Sequence, residues 1–175
     1  TNFSPDAISN EGMVRTFQEN AFFPYFTVRE NINVGCYLQS KPKFWECLLN
    51  ARSYRAREME TQKKVESIIE TMRLADYKDE VAINLPNGFQ RRLGIAIALA
   101  ANPKLLLLDE PFGGMNPEEV NVLVEDIKGI HESGTAVLII EHQMKAIMTL
   151  SQRMVVLNFG CKIAEGTPGE VQRDP

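Results

Sequence analysis

A chain of 175 residues with 44% hydrophobic content suits one domain around a single core, and a net charge of −4 with a pI near 5.3 supplies no basic footprint for nucleic acid. Three cysteines, Cys36, Cys47 and Cys161, are odd in number, widely spaced and without a C-x-x-C arrangement, which argues against a disulfide framework or a zinc site and fits a reduced compartment. No stretch approaches the roughly 18 unbroken apolar residues of a membrane span, and no charged-then-apolar leader opens the chain, so the expectation is a cytosolic protein unless a partner holds it at a membrane.

Ser4-Pro5-Asp6 reads as a helix start, with serine as N-cap and proline at the first helical position, and Gly12 reads as its end. Met13 to Phe17 is apolar and β-branched enough for a short strand, followed by Gln18. Phe22-Phe23-Pro24-Tyr25-Phe26 gathers four aromatics around a proline, as either a small satellite core or a protein-binding patch. Thr27-Val28-Arg29-Glu30 has capping-box spacing and predicts a helix from Val28 to about Tyr37.

The segment Gln39 to Asn50, with the only tryptophan, Trp45, is irregular and reads as core or interface packing. Arg52, Arg55 and Arg57 interleave with acids as a solvated helix face does. Val65, Ile68, Ile69 and Met72 recur at helical spacing and predict an amphipathic helix ending near Leu74. Leu85-Pro86-Asn87-Gly88-Phe89-Gln90-Arg91-Arg92-Leu93 reads as a turn leading into a helix, whose N-terminus offers free N–H groups and the positive end of a dipole.

Lys104-Leu105-Leu106-Leu107-Leu108-Asp109-Glu110-Pro111 is the centre of the chain. Four consecutive leucines predict a short, fully buried parallel strand, because such a run has no wet face to spare. Ligands in open α/β sheets bind just outside the carboxyl ends of strands, which is where Asp109 and Glu110 stand. Asn116-Pro117-Glu118-Glu119 then predicts a capped helix with Val120, Leu123, Val124, Ile127 and Ile130 as its buried stripe. Thr135 to Ile140 predicts a second core strand, ending in Glu141-His142. A β-hairpin around Asn158-Phe159-Gly160 and a helix start at Thr167-Pro168-Gly169-Glu170 close the chain.

In order and spacing, Gln18, the Leu85 to Gln90 loop, Asp109-Glu110, Gly114-Met115-Asn116-Pro117 and His142 resemble the motifs of the nucleotide-binding subunit of an ABC transporter. The resemblance covers essentially the whole chain. It implies an α/β fold of the P-loop NTPase (RecA-like) type, with a parallel-sheet core at about 1–26 and 102–175 and a helical subdomain at about 27–101. It further implies ATP and Mg²⁺ as ligands, with Asp109 and Gln18 at the metal, Asp109, Asn87, Gly88 and Gln90 at the nucleotide, Glu110 as the base that prepares water, and His142 at the γ-phosphate. Asn87 and Gly88 would serve the ATP of an opposing subunit in a dimer, homodimeric or paired with a second ATP-binding subunit. The implied setting is the cytoplasmic face of a membrane, docked on a permease through the aromatic segment, with no nucleic-acid partner.

Arg15-Thr16-Phe17-Gln18, Gly114-Met115-Asn116-Pro117 and Glu141-His142-Gln143-Met144-Lys145 look like the branched-chain amino acid uptake branch; the alternatives are a lipopolysaccharide-export ATPase or a degenerate, non-hydrolysing nucleotide module. Three departures from the family pattern stand in the signature loop: Pro86 occupies the usual serine position, Phe89 a usually polar one, and Asn87 replaces a variable or glycine position. No G-x-x-x-x-G-K-[ST] string is present, so the expectation is an N-terminally truncated domain, inactive by itself for want of that phosphate-binding loop.

Overall fold

The computed structural model describes residues 4–16, 22–39 and 51–173. Three strands, β1 (Met13–Arg15), β2 (Leu105–Asp109) and β3 (Ala136–Ile140), form a parallel sheet in the order β1-β2-β3. The tetraleucine run is therefore the central strand, with Val14 beside Leu106 on one edge and Ile139 beside Leu108 on the other. Thr16 N–H continues the first pairing by donating to the Leu107 carbonyl at 2.9 Å. Phe17, Gln18, Trp45 and Cys47 lie outside the described residues.

The expectation of a strand buried on both faces is corrected. Side chains alternate across a strand, and only Leu106 and Leu108 are fully buried, together with the partly buried Val137 and Ile139 on the neighbouring strand. Leu105, Leu107 and Asp109 share the opposite face with Met13, Arg15, Leu138 and Ile140. No described element covers that face, and Leu138 and Ile140 are 56% and 61% exposed.

Helix α1 (Pro5–Asn10) leads into β1; Ser4 stands at its cap position without a side-chain bond, and Gly12, at φ +95°, follows its end. Three longer helices pack together beside the sheet: α2 (Val28–Gln39), α3 (Ala51–Thr71) and α4 (Asn87–Ala100). The predicted box at the start of α2 forms, with Thr27 N–H donating to Glu30 Oε2 at 2.8 Å and Glu30 N–H to Thr27 Oγ1 at 3.2 Å. Helices α2 and α4 approach closely at Gly35, where a Cβ would stand 2.8 Å from the Ile97 carbonyl oxygen. The predicted stripe of Val65, Ile68, Ile69 and Met72 is the buried face of α3.

Helix α5 (Pro117–Glu132) starts with Asn116 accepting from Glu118 and Glu119 N–H and buries the predicted stripe. After α6 (Met144–Leu150), β4 (Met154–Asn158) and β5 (Cys161–Gly166) form the expected antiparallel hairpin. Its two turn residues, Phe159 and Gly160, both have positive φ, as a tight primed turn requires. A short helix, α7 (Pro168–Val171), begins with a Thr167–Glu170 capping box.

Candidate active site at the strand ends

The carboxyl ends of β2 and β3 lie side by side, because Asp109 pairs in register with Ile140. Asp109 projects to the open sheet face, where its side chain is 18% exposed and its Oδ2 accepts from Arg15 Nη2 at 2.8 Å. Arg15 reaches it from β1 because it stands on the same face, paired with Leu107 two positions earlier. The chain then turns at Glu110, a non-glycine residue at φ +47° whose N–H donates to the Ile140 carbonyl at 2.9 Å. This conformation is uncommon for a residue with a long side chain and is worth attention at a strand end.

The turn points Glu110 at His142: Oε1 lies 3.8 Å from the imidazole Nδ1. Both are accessible, Glu110 at 39% and His142 at 71%. The structure brings Glu110 and His142 together next to Asp109, whereas Gln18, the other residue expected there, lies outside the described residues. An accessible carboxylate and an imidazole at one strand-end crevice are suited to moving a proton to or from a bound reactant.

Two residues of this site were not legible in the sequence. Arg15 had no assigned role, and its approach to Asp109 spans 94 residues of chain. Glu141 stood only as the neighbour of His142, yet its side chain is wholly buried and accepts from Phe112, His142 and Gln143 N–H groups at 3.3, 2.6 and 3.1 Å. An acid just past an apolar strand carries no mark distinguishing a buried clamp from a solvated exit.

The start of α4 is built differently. Pro86 occupies its cap position and makes no side-chain bond. Asn87 is exposed with its amide against Gly114, where a Cβ would stand 2.6 Å from Nδ2; Gly88 is buried, and a Cβ there would meet Glu119 Oε1 at 2.8 Å. Asn87 and Gly88 therefore pack on the 113–119 loop that follows the strand acids. Gln90 turns back, its Nε2 donating to the Leu85 carbonyl at 3.0 Å and the Ile83 carbonyl at 3.4 Å, so in this arrangement it braces the preceding loop.

Phe89, a further departure in this loop, is a packing residue. Its ring lies 4.4 Å from the Tyr77 ring, and the Arg92 guanidinium sits 5.8 Å from its centroid. Arg92 is itself buried, 3.1 Å from Asp126 of α5, and donates to the Met72 carbonyl at 3.3 Å. Burial pushes its guanidinium down from the ordinary value, and the Asp126 carboxylate opposes that shift.

Phe23, Tyr25 and Phe26 are exposed, together with Ile83, whose N–H donates to the Pro24 carbonyl at 3.0 Å, so this part of the aromatic cluster forms a surface patch. Phe22 instead packs on the core. The patch is rigidly built: buried Asn31 accepts from Phe23 N–H at 2.7 Å and donates to the carbonyls of Phe23, Phe26 and Thr27 at 3.0, 3.2 and 3.0 Å. A patch of exposed apolar side chains on a braced loop has the character of an interaction surface.

Among the described residues no group of three or more His, Cys, Asp or Glu side chains is placed to hold a metal. Among them, too, no helix is long and apolar enough to cross a membrane.

Comparison with known proteins extends these observations. The family described as ABC transporter matches residues 4–113. The high-affinity branched-chain amino acid transport ATP-binding protein LivG of Escherichia coli strain K12 is 37% identical over 169 residues, which is 96% of this chain and 66% of that protein. The corresponding protein BraF of Pseudomonas aeruginosa is 35% identical over the same share of each. The chain thus spans just under two thirds of the length of these relatives. Among solved structures, a nucleotide-free ATP-binding cassette from an ABC transporter superposes with a TM-score of 0.81 at 27% identity, covering 99% of this chain and 68% of that one.

Proposed function

The chain belongs to the ABC transporter ATP-binding family, and from that premise we propose that it serves as the ATP-hydrolysing subunit of an importer whose cargo is amino acids. The observation that carries the reading is the approach of Glu110 to His142 at 3.8 Å beside Asp109, at the carboxyl ends of adjacent parallel strands. The cargo class rests on the similarity to LivG and BraF, which extends over 96% of the chain.

In this reading Glu110 takes a proton from water as its oxygen bonds to the γ-phosphorus, and the bond from that phosphorus to the bridging oxygen breaks, leaving ADP and phosphate. His142 donates a hydrogen bond to the γ-phosphate oxygens and keeps the water in line. Asp109, with Gln18, would hold Mg²⁺, which when bound neutralises charge on the phosphates. Asn87, exposed at the start of α4, and the N-terminal backbone at Gly88 behind it would meet the ATP of a second subunit, so the working unit is a dimer. On this reading about 27–101 would be the helical arm, and 1–26 with 102–175 the core. The braced patch of Phe23, Tyr25, Phe26 and Ile83 docks a permease at the cytoplasmic face of the membrane.

The test is ATP turnover by the full-length gene product with and without Glu110→Gln. The variant is expected to keep nucleotide binding and lose at least about a hundredfold in rate, the scale of a general base. Turnover untouched by Glu110→Gln, or a parent protein that binds ATP and never hydrolyses it, would overturn the reading.

A further inference from the structure

Glu141 has the build of a functional side chain without a part in the chemistry above. The backbone ladder between β2 and β3 runs to the rung from Glu110 N–H to the Ile140 carbonyl. There the turn at Glu110, φ +47°, carries the chain away from strand geometry. Glu141 continues the connection with its side chain. Its Oε1 accepts from Phe112 N–H at 3.3 Å, and its Oε2 accepts from His142 N–H at 2.6 Å and Gln143 N–H at 3.1 Å. Gln143 Nε2 closes the loop by donating to the Phe112 carbonyl at 3.2 Å.

We propose that Glu141 is a positioning residue that clamps the His142 loop to the Glu110 turn, so that imidazole and carboxylate face each other before nucleotide arrives. The proposal rests on the reading of Glu110 and His142 as the hydrolytic pair. Its substance is that one buried anion holds both partners by their backbones, on the segments immediately after Glu110 and at His142. Charge-assisted bonds to backbone N–H are the strong kind, and a side chain with 0% exposure has no water to replace them. The same carboxylate lies 3.5 Å from His142 Nδ1, so the ring turns that edge toward the acids and leaves Nε2 for a ligand. A purely local brace of the turn before α6 would need only the bonds to residues 142 and 143. The bond to Phe112, 29 residues away, is what makes a clamp.

Four variants of the full-length protein separate a clamp from a local brace. Glu141→Gln keeps the volume but puts an NH₂ where a donor must be accepted. Glu141→Asp still reaches the neighbouring amides but is one methylene short of Phe112. Both are expected to lower kcat about tenfold to hundredfold, the scale of a misplaced catalytic group, with KM for ATP changed less than about threefold. The double variant Glu141→Gln with His142→Ala is expected to be no slower than His142→Ala alone, because the two act through one element. An additive double variant, or Glu141→Asp with parental kcat, would overturn the proposal. Amide hydrogen exchange decides it independently of turnover: Phe112 and His142 should exchange about tenfold faster or more in Glu141→Gln, with Leu106 to Leu108 unchanged. Unchanged exchange at Phe112 sinks the clamp, whereas a parent without ATPase activity sinks the hydrolytic reading and leaves the exchange arm to judge the clamp.

Discussion

Asp126 shows how much one buried charge can organise. It sits on α5, nearly inaccessible, and receives Arg92 of α4 at 3.1 Å and Arg73, just past α3, at 2.9 Å. The two arginines are unequal: Arg92 is buried, whereas Arg73 is largely exposed. Removing one partner of a buried pair strands the other, so Asp126→Ala is expected to cost about 3–5 kcal/mol. Arg73→Ala should cost about 1 kcal/mol or less, since solvent screens an exposed pair. Urea denaturation of the three proteins measures both, and equal losses would contradict this division. At the same scale, Asp109, Glu110 and His142 were legible because each closes an apolar run, whereas Arg15 and Glu141 were not, since their partners lie 94 and 29 residues away.

Elements declared their beginnings more clearly than their surroundings. Thr27 and Glu30 announce α2 by spacing alone, and the reciprocal bonds form as expected. Thr27 N–H, and secondarily its hydroxyl, hold the Glu30 carboxyl below its ordinary value of 4.5. A depressed carboxyl contributes stability that is present above the ordinary value and lost as pH falls through the folded one. The difference in stability between the parent and Glu30→Gln should therefore be full above about pH 4.5 and shrink below it; thermal melts from pH 7 to 3 would show this, and a constant difference would refute it. The start of α4 was readable as a turn and helix, yet Phe89 could be understood only beside Tyr77 and Arg92. Gly35 likewise gave no sign that a neighbouring helix passes 2.8 Å from its missing Cβ.

On the scale of the whole molecule, the sheet has one covered face and one open face among the described residues. Leu138 and Ile140 lie on the open one, and the separate β4–β5 hairpin also exposes Val155, Leu157 and Ile163. In the 175-residue chain by itself, this accessible apolar surface is expected to bind an apolar-sensing dye. Leu138→Thr with Ile140→Thr should reduce the fluorescence while preserving far-UV circular dichroism, because threonine retains strand propensity; undiminished dye binding would place the apolar surface elsewhere.

By itself the sequence determined the local alphabet of this protein: the two apolar strands, the capped and striped helices, the hairpin turn, and acids and a histidine waiting at strand ends. These follow from periodicity and capping, which act over a few residues and leave their mark in the order of the chain. Only the tertiary structure decided which strand face is covered, that Glu110 turns at positive φ to meet His142, and that Arg15 and Glu141 belong to the same neighbourhood. Those are contacts between segments far apart in the chain, and their partners are chosen by packing in space, for which adjacency in sequence holds no record.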